Sequence, residues 1–173
     1  ESTFDIWTYD IERDTLTRLT FEGDNNWPVW APDGERVAFS SVRDGTLMSA
    51  YVKAADGSGT EARILTPEGR PSWGQVTPTD WSRDGRQLLM EFTDQRGVNG
   101  LAFGLDDGEE RILMETPAIE QAPSLSPDGR WISYTSDESG GSEIYVRPFL
   151  TSGGKWQIST DGGNYPRWSP DGG

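Results

Sequence analysis

Histidine and cysteine are absent from the 173 residues of this chain, and cationic side chains are few, 15 Lys and Arg against 29 Asp and Glu. Without a thiol there is no disulfide and no thiolate chemistry. Without an imidazole, Ser–His and Cys–His nucleophile systems and His-ligated zinc or iron sites cannot be assembled from this chain. The lack of cysteine leaves the compartment open, since Cys-free chains occur on both sides of a membrane. A formal charge of −14 with no cluster of Lys or Arg argues against nucleic acid as a partner, because phosphate counterion release needs such clusters. Single-strand binding, which needs aromatics interleaved with basic residues, fails on the same ground. No stretch approaches the roughly 18 apolar residues of a membrane-spanning helix, so the chain is not expected to be membrane-inserted. No window carries the 3.6-residue period of an amphipathic helix, and no Gly-x-Ser-x-Gly elbow is present.

What is there is repetition. Eight Trp, six Phe and five Tyr supply large apolar groups, and 21 Gly and 11 Pro are scattered as turn punctuation. One short motif occurs four times: Trp30-Ala-Pro-Asp-Gly34, Trp81-Ser-Arg-Asp-Gly85, Leu125-Ser-Pro-Asp-Gly129 and Trp168-Ser-Pro-Asp-Gly172. Its aspartates, Asp33, Asp84, Asp128 and Asp171, lie 51, 44 and 43 residues apart. Pro32, Pro127 and Pro170 pre-set φ at the first corner of a type I turn, the aspartates take the second, and Gly34, Gly85, Gly129 and Gly172 take the left-handed position that realigns the strands. Four and six residues after each of the first three aspartates come Val37 and Phe39, Leu88 and Met90, Ile132 and Tyr134. Apolar groups two apart place one face of a strand against a core. Aromatic segments at Trp7, Tyr51, Phe103 and Tyr145 and short segments ending near Leu19, Leu65, Leu113 and Ile158 complete four strands per repeat, A to D. Four antiparallel strands recurring at about 40–45 residues is the spacing of propeller blades. A β-sandwich is the competing all-β arrangement, but its strands do not recur with one turn tetrapeptide and one aromatic offset.

The boxes, followed by Ala38-Phe39-Ser40 or Ser133-Tyr134-Thr135 and later by Ile144-Tyr145-Val146, resemble the TolB-type, WD-repeat-like propeller repeat. The stretch from Ala122 through Tyr145-Val-Arg-Pro-Phe149 to Lys155-Trp-Gln-Ile-Ser-Thr160 is similar to propellers attached to bacterial Ser/Thr protein kinases and some winged-helix regulators. The chain departs from that pattern at Arg83, where Pro is usual, and at Leu125, where Trp is. The repeat predicts strands C and D of one blade in 1–20, blades over 27–66, 78–114 and 122–160, and the start of another in 164–173. A blade closed from the two ends would hold strands A, C and D without B. The chain is therefore expected to be about half of a larger propeller, open at its edges and prone to pair with itself. The resemblance implies a non-catalytic binding or sensing module outside the cytoplasm, with a peptide, a protein or a small ligand at one loop face. A TolB-like periplasmic scaffold, or the gating propeller of a serine peptidase, are its alternatives.

Catalytic motifs are weak. Asp106-Asp107 and Glu109-Glu110 fall in a C–D turn and read as solvated. Gly57-Ser-Gly-Thr-Glu-Ala62 lies between strands rather than between a strand and a helix, so it is no dinucleotide fingerprint. Oxygen-rich loops before strand A, around Asp24, Asn25 and Asn26 and around Asp161 and Asn164, are where calcium would bind if it binds at all; ordinary Asx turns explain them as well, and no cofactor is expected. The D–A and B–C loops should share one face, which adds Arg43, Asp44, Asp94, Arg96, Glu120, Asp137 and Glu138. An acidic mouth of that kind favours cationic peptides, amines or divalent ions. Trp30, Trp81 and Trp168 share a slot and are expected to pack between blades, whereas Trp73 sits in an irregular loop, Pro67 to Pro78, and is a candidate ligand contact.

Overall fold

A computed structural model describes residues 4–43, 47–70 and 72–172, in which every regular element is a strand. The strands are β1 (Trp7–Asp10), β2 (Thr15–Arg18), β3 (Asp24–Trp30), β4 (Arg36–Val42), β5 (Met48–Ala54), β6 (Ala62–Leu65), β7 (Val76–Trp81), β8 (Gln87–Thr93), β9 (Val98–Gly104), β10 (Glu110–Met114), β11 (Glu120–Leu125), β12 (Trp131–Ser136), β13 (Glu143–Pro148) and β14 (Trp156–Gln157). They form three four-stranded meanders, β3–β6, β7–β10 and β11–β14, and a two-stranded remnant, β1–β2. The chain is thus all-β, with three full blades and a partial one. It divides into two compact units, residues 1–78 and 79–173.

The repeated box is a side-chain staple as well as a turn. In the second box Ser82 Oγ donates to Asp84 Oδ1 at 2.6 Å and accepts from Gln87 N, while Arg86 N donates to the same Asp84 oxygen. Ser126, Asp128, Arg130 and Trp131 repeat this arrangement, and Ser169 donates to Asp171. Gly34, Gly85, Gly129 and Gly172 all take φ between +68° and +83°, the left-handed region that Gly enters without penalty. In the first box Ala31 replaces the serine, while Asp33 keeps the bond from the amide two residues on, Glu35 N, and pairs with Arg36.

Each unit has a core built from paired strands. In unit 1, Ile6, Leu19, Val37, Phe39 and Tyr51 cluster, with Phe39 directly opposite Tyr51 and their rings stacked at 5.9 Å. In unit 2, Leu89, Met114, Leu125, Ile132, Tyr134 and Tyr145 do so, and Tyr134 stacks on the opposing Tyr145 at the same distance. Cross-strand aromatic pairs of this kind stabilise a sheet beyond their buried area.

Strand A carries a bulge that the sequence pattern did not announce. Trp27, Ala122 and Tyr165 each stand three residues before the box residue and each has φ between +51° and +56°. The ladder slips there, between Asn26 and Val29 and between Gln121 and Ser124. The bulge turns one amide out of its own sheet. Ala122 N donates to Glu91 Oε2 of the preceding strand B at 3.0 Å, and Tyr165 N donates to Thr135 Oγ1, the matching position one blade later, at 3.1 Å. Pro78 fills this slot in β7; it has no N–H and its ring forbids positive φ, and Ser40 Oγ instead donates to Val76 O.

Two expectations are corrected. Trp168 Nε1 bonds Ser124 O of the preceding strand A at 3.0 Å, as expected of a residue between blades, but Trp30 in the same slot is 52% exposed. Among the described residues the blade before it comprises β1 and β2, and no strand A there meets the indole. Residues 158–172 hold no strand where an opening strand A was expected.

Candidate functional site

The loop residues singled out from sequence separate into those that build the blades and those that line a cleft. In unit 1 Asn25 is buried, its Nδ2 donating to Phe4 O and Glu22 O at 3.2 and 3.0 Å. Asp24 Oδ1 accepts from Phe4 N at 2.9 Å, and Asn26 stands opposite Ser40 in the ladder. Arg43 is a hub: it donates to Ser41 Oγ at 2.9 Å and Glu61 Oε2 at 2.8 Å, and its guanidinium lies 4.3 Å from the Tyr51 ring centre. Burial opposes ionisation of Glu61, but Arg43 and then Lys53 outweigh it and hold the carboxyl below its usual range. These groups make their contacts within the fold of unit 1. Asp44 lies outside the described residues. Trp73 is covered by the Arg70 guanidinium at 4.6 Å, and Arg70 in turn donates to Thr66 O at 2.7 Å, so the irregular loop closes on itself.

In unit 2, Asp94 accepts from Arg96 N at 2.7 Å and Gly97 N at 3.2 Å, a staple for the β8–β9 turn, and Arg96 reaches across to Glu115. Asp161 and Asn164 are exposed; the loop between them is held by Glu143, which accepts from Gly162 N at 3.0 Å and from Ser159 Oγ. Among the described residues no three acidic side chains converge as a metal site would require, and neither Asp24 nor Asp161 belongs to one.

Two of the anticipated residues line one cleft and a third stands behind it. Asp137 and Glu138, from the β12–β13 loop, and Thr116, Pro117 and Ala118, from the β10–β11 loop, line a cleft of about 400 Å3. Asp137 Oδ1 accepts from Ile119 N at 2.8 Å and ties the two loops together. Glu120 stands behind Thr116, whose hydroxyl donates to its Oε1 at 3.1 Å; Glu120 is 2% exposed and its Oε2 has no partner. Burial raises the Glu120 pKa, and the charge of Glu138 adds to this. Lys155 pairs with Glu138 at the side. Thr116, Pro117 and Ala118 escaped the sequence reading because loop residues of this kind follow no repeat; the only signal was their position just after strand D.

The buried carboxyls have a consequence for stability. Glu91 and Glu120 hold their protons in the folded state to higher pH than in the unfolded chain, where 4.5 applies. Their contribution is full below that value and is lost as pH rises through the raised folded values. Asp128 works the other way: Ser126, then the Arg130 amide and guanidinium, hold it at about 2, so its contribution is present above 3.8 and lost only as pH falls toward 2. Glu120→Gln is therefore expected to narrow the drop in melting temperature between pH 5 and pH 7, measured by calorimetry at both.

No protein-family model matches the sequence. Among curated proteins the chain is 28% identical to the uncharacterized peptidase YuxL of Bacillus subtilis over 83% of its length, and 35% identical to the Tol-Pal system protein TolB of Bordetella pertussis over 68%. It spans about a quarter of either relative, 28% and 26%. A solved structure from Agrobacterium tumefaciens assigned as TolB superimposes on 99% of the chain with a TM-score of 0.84 at 21% identity, the chain covering 61% of it. The three meanders and the two-stranded remnant therefore have the β-propeller fold that TolB shares with peptidase-associated propellers.

Proposed function

We propose that this chain is a non-catalytic binding module of a larger bacterial protein, and that it accepts a cationic group of a peptide or protein partner in the cleft beside β11–β14. One observation carries the reading: Asp137 and Glu138 line the cleft with the Thr116 hydroxyl-bearing loop, with Lys155 paired to Glu138 at its side. A recess walled by carboxylates concentrates cations, and a guanidinium can pair with a carboxylate through two parallel hydrogen bonds. Specificity then belongs to the loops and the blades act as a rigid frame. The likeness to TolB supports a protein partner and a place outside the cytoplasm. Calorimetric titration with an arginine-containing tetrapeptide and its citrulline counterpart tests this. The arginine peptide is expected to bind, the citrulline peptide to fail, and Glu138→Gln to weaken binding about tenfold, or about 1.4 kcal/mol. Equal binding of both peptides, or of neither, overturns it.

A second reading is favoured by the similarity to YuxL over most of the chain: the blades would gate access to a serine peptidase domain elsewhere in the parent. An α/β-hydrolase segment with a Gly-x-Ser-x-Gly elbow in the flanking gene, and peptide hydrolysis by the full-length protein, would favour it over the first.

A further inference from the structure

We propose that a cleft between β10 and β13, on residues that the acidic cleft does not share, captures the C-terminal residue of a partner peptide. Arg147 pairs with its carboxylate, and the apolar walls hold its side chain. The cleft encloses about 360 Å3, toward the small end of the range for ligand sites. Ile112 and Leu113 of β10 line one side, and Phe149 and Leu150, just after β13, line the other. Ile132, buried, stands directly opposite Arg147 in the ladder. β10 and β13 each belong to a complete four-stranded meander.

The guanidinium is the unusual group. In unit 2 Arg86, Arg96, Arg111 and Arg130 each pair with a carboxylate. Among the described residues Arg83, Arg147 and Arg167 do not, and of these only Arg147 is half-buried. Partial burial of a charge without a counter-charge costs free energy. Yet a chain with 29 acidic side chains folds none of them onto Arg147, and no Asp or Glu lines the cleft. Arg147 is also oriented. Its Nη1 donates to Leu113 O at 3.2 Å, which fixes the guanidinium from one side. The N–H groups of Nε and Nη2 have no partner among the described residues and are not sealed from solvent. That edge is the fork that grips a carboxylate through two parallel hydrogen bonds.

The apolar surface beside the fork indicates what the carboxylate is attached to. Ile112 and Leu150 are each 45% exposed, and Leu150 is held at φ +53°, a conformation that is costly for any residue with a side chain. A C-terminal residue joins a carboxylate and an apolar side chain at one carbon, so both reach their partners together, and terminal carboxylates are a recurring recognition element. An internal Asp or Glu would instead press its flanking peptide groups against aliphatic walls that offer them no hydrogen bonds.

Calorimetric titration of this chain with N-acetyl-Ala-Ala-Leu and with its C-terminal amide tests the inference. Neither peptide carries a cation, so the result is independent of the acidic cleft. The free acid is expected to bind with a Kd of roughly 1 mM or below, and the amide about tenfold more weakly. Arg147→Gln should weaken acid binding about tenfold, and so should Ile112→Glu, which sets a carboxylate at an exposed position of the apolar side. Both variants should keep the parent far-ultraviolet dichroism. Equal binding of acid and amide, binding of neither, or acid binding unchanged in Ile112→Glu overturns the inference, the last even if Arg147→Gln fails to fold. Octanoate binding more tightly than the peptide overturns it as well and assigns the cleft to a free aliphatic acid.

Discussion

Replacing Tyr134 by alanine is expected to cost the 79–173 unit about 3–5 kcal/mol, the range for removing a large buried aromatic. Tyr134 is 2% exposed, lies in the cluster with Leu89, Leu125, Ile132 and Tyr145, and stacks on Tyr145. Its ring therefore joins strand B both to its neighbour within the sheet and to the blade before it. A cavity there cannot be refilled, because the contacts come from three different strands that are each held by backbone ladders. Tyr134→Phe separates ring from hydroxyl. Burial, and then the charges of Glu138 and Glu120, push the phenol pKa up, so the hydroxyl stays neutral and its removal should matter far less than removal of the ring. Denaturant unfolding of both variants checks this, and equal losses would mean that the hydroxyl, rather than the packing, holds the site.

The second large effect is expected at Asp80. Its Oδ2 accepts from Ser124 Oγ at 2.7 Å and Leu125 N at 2.9 Å, and its Oδ1 from Trp81 N at 2.8 Å. One carboxylate on strand A of the second complete blade thus fastens strand A of the third, beside the Thr79 hydroxyl that donates to Pro123 O at 2.9 Å. Hydrogen bonds to a charged group contribute about 1.5–3 kcal/mol. Asp80→Ala leaves the Leu125 amide without its acceptor, so a loss in that range is expected from calorimetric melting. Asp80→Asn keeps one acceptor and should recover part of it. Amide exchange should report faster opening at Leu125 in the alanine variant; unchanged protection there would show that the latch is not what holds the two strands.

Turn, strand and blade were legible in the sequence because each is a local matter repeated several times. The Ser-Pro-Asp-Gly box encodes its own hydrogen bonds, Ser126 to Asp128 being two residues apart, and period-two apolar pairs such as Val37 and Phe39 choose their face without outside help. Repetition then multiplied a weak signal into a firm one. Asp80 was invisible for the opposite reason. It has no counterpart one repeat away, and its partners, Ser124 and Leu125, are more than forty residues distant.

The order of the strands and the placement of the turn glycines were decided by the sequence alone, since steric limits on φ and the alternation of side chains act between near neighbours. Which loop residues line a cleft was decided only in three dimensions. Asp94 is a loop carboxylate like Asp137 and Glu138, yet it caps its own turn while they line a cleft. A polar side chain near the surface is committed by whatever donor or acceptor folding brings within about 3 Å, and that is a property of the packed blades rather than of the residue.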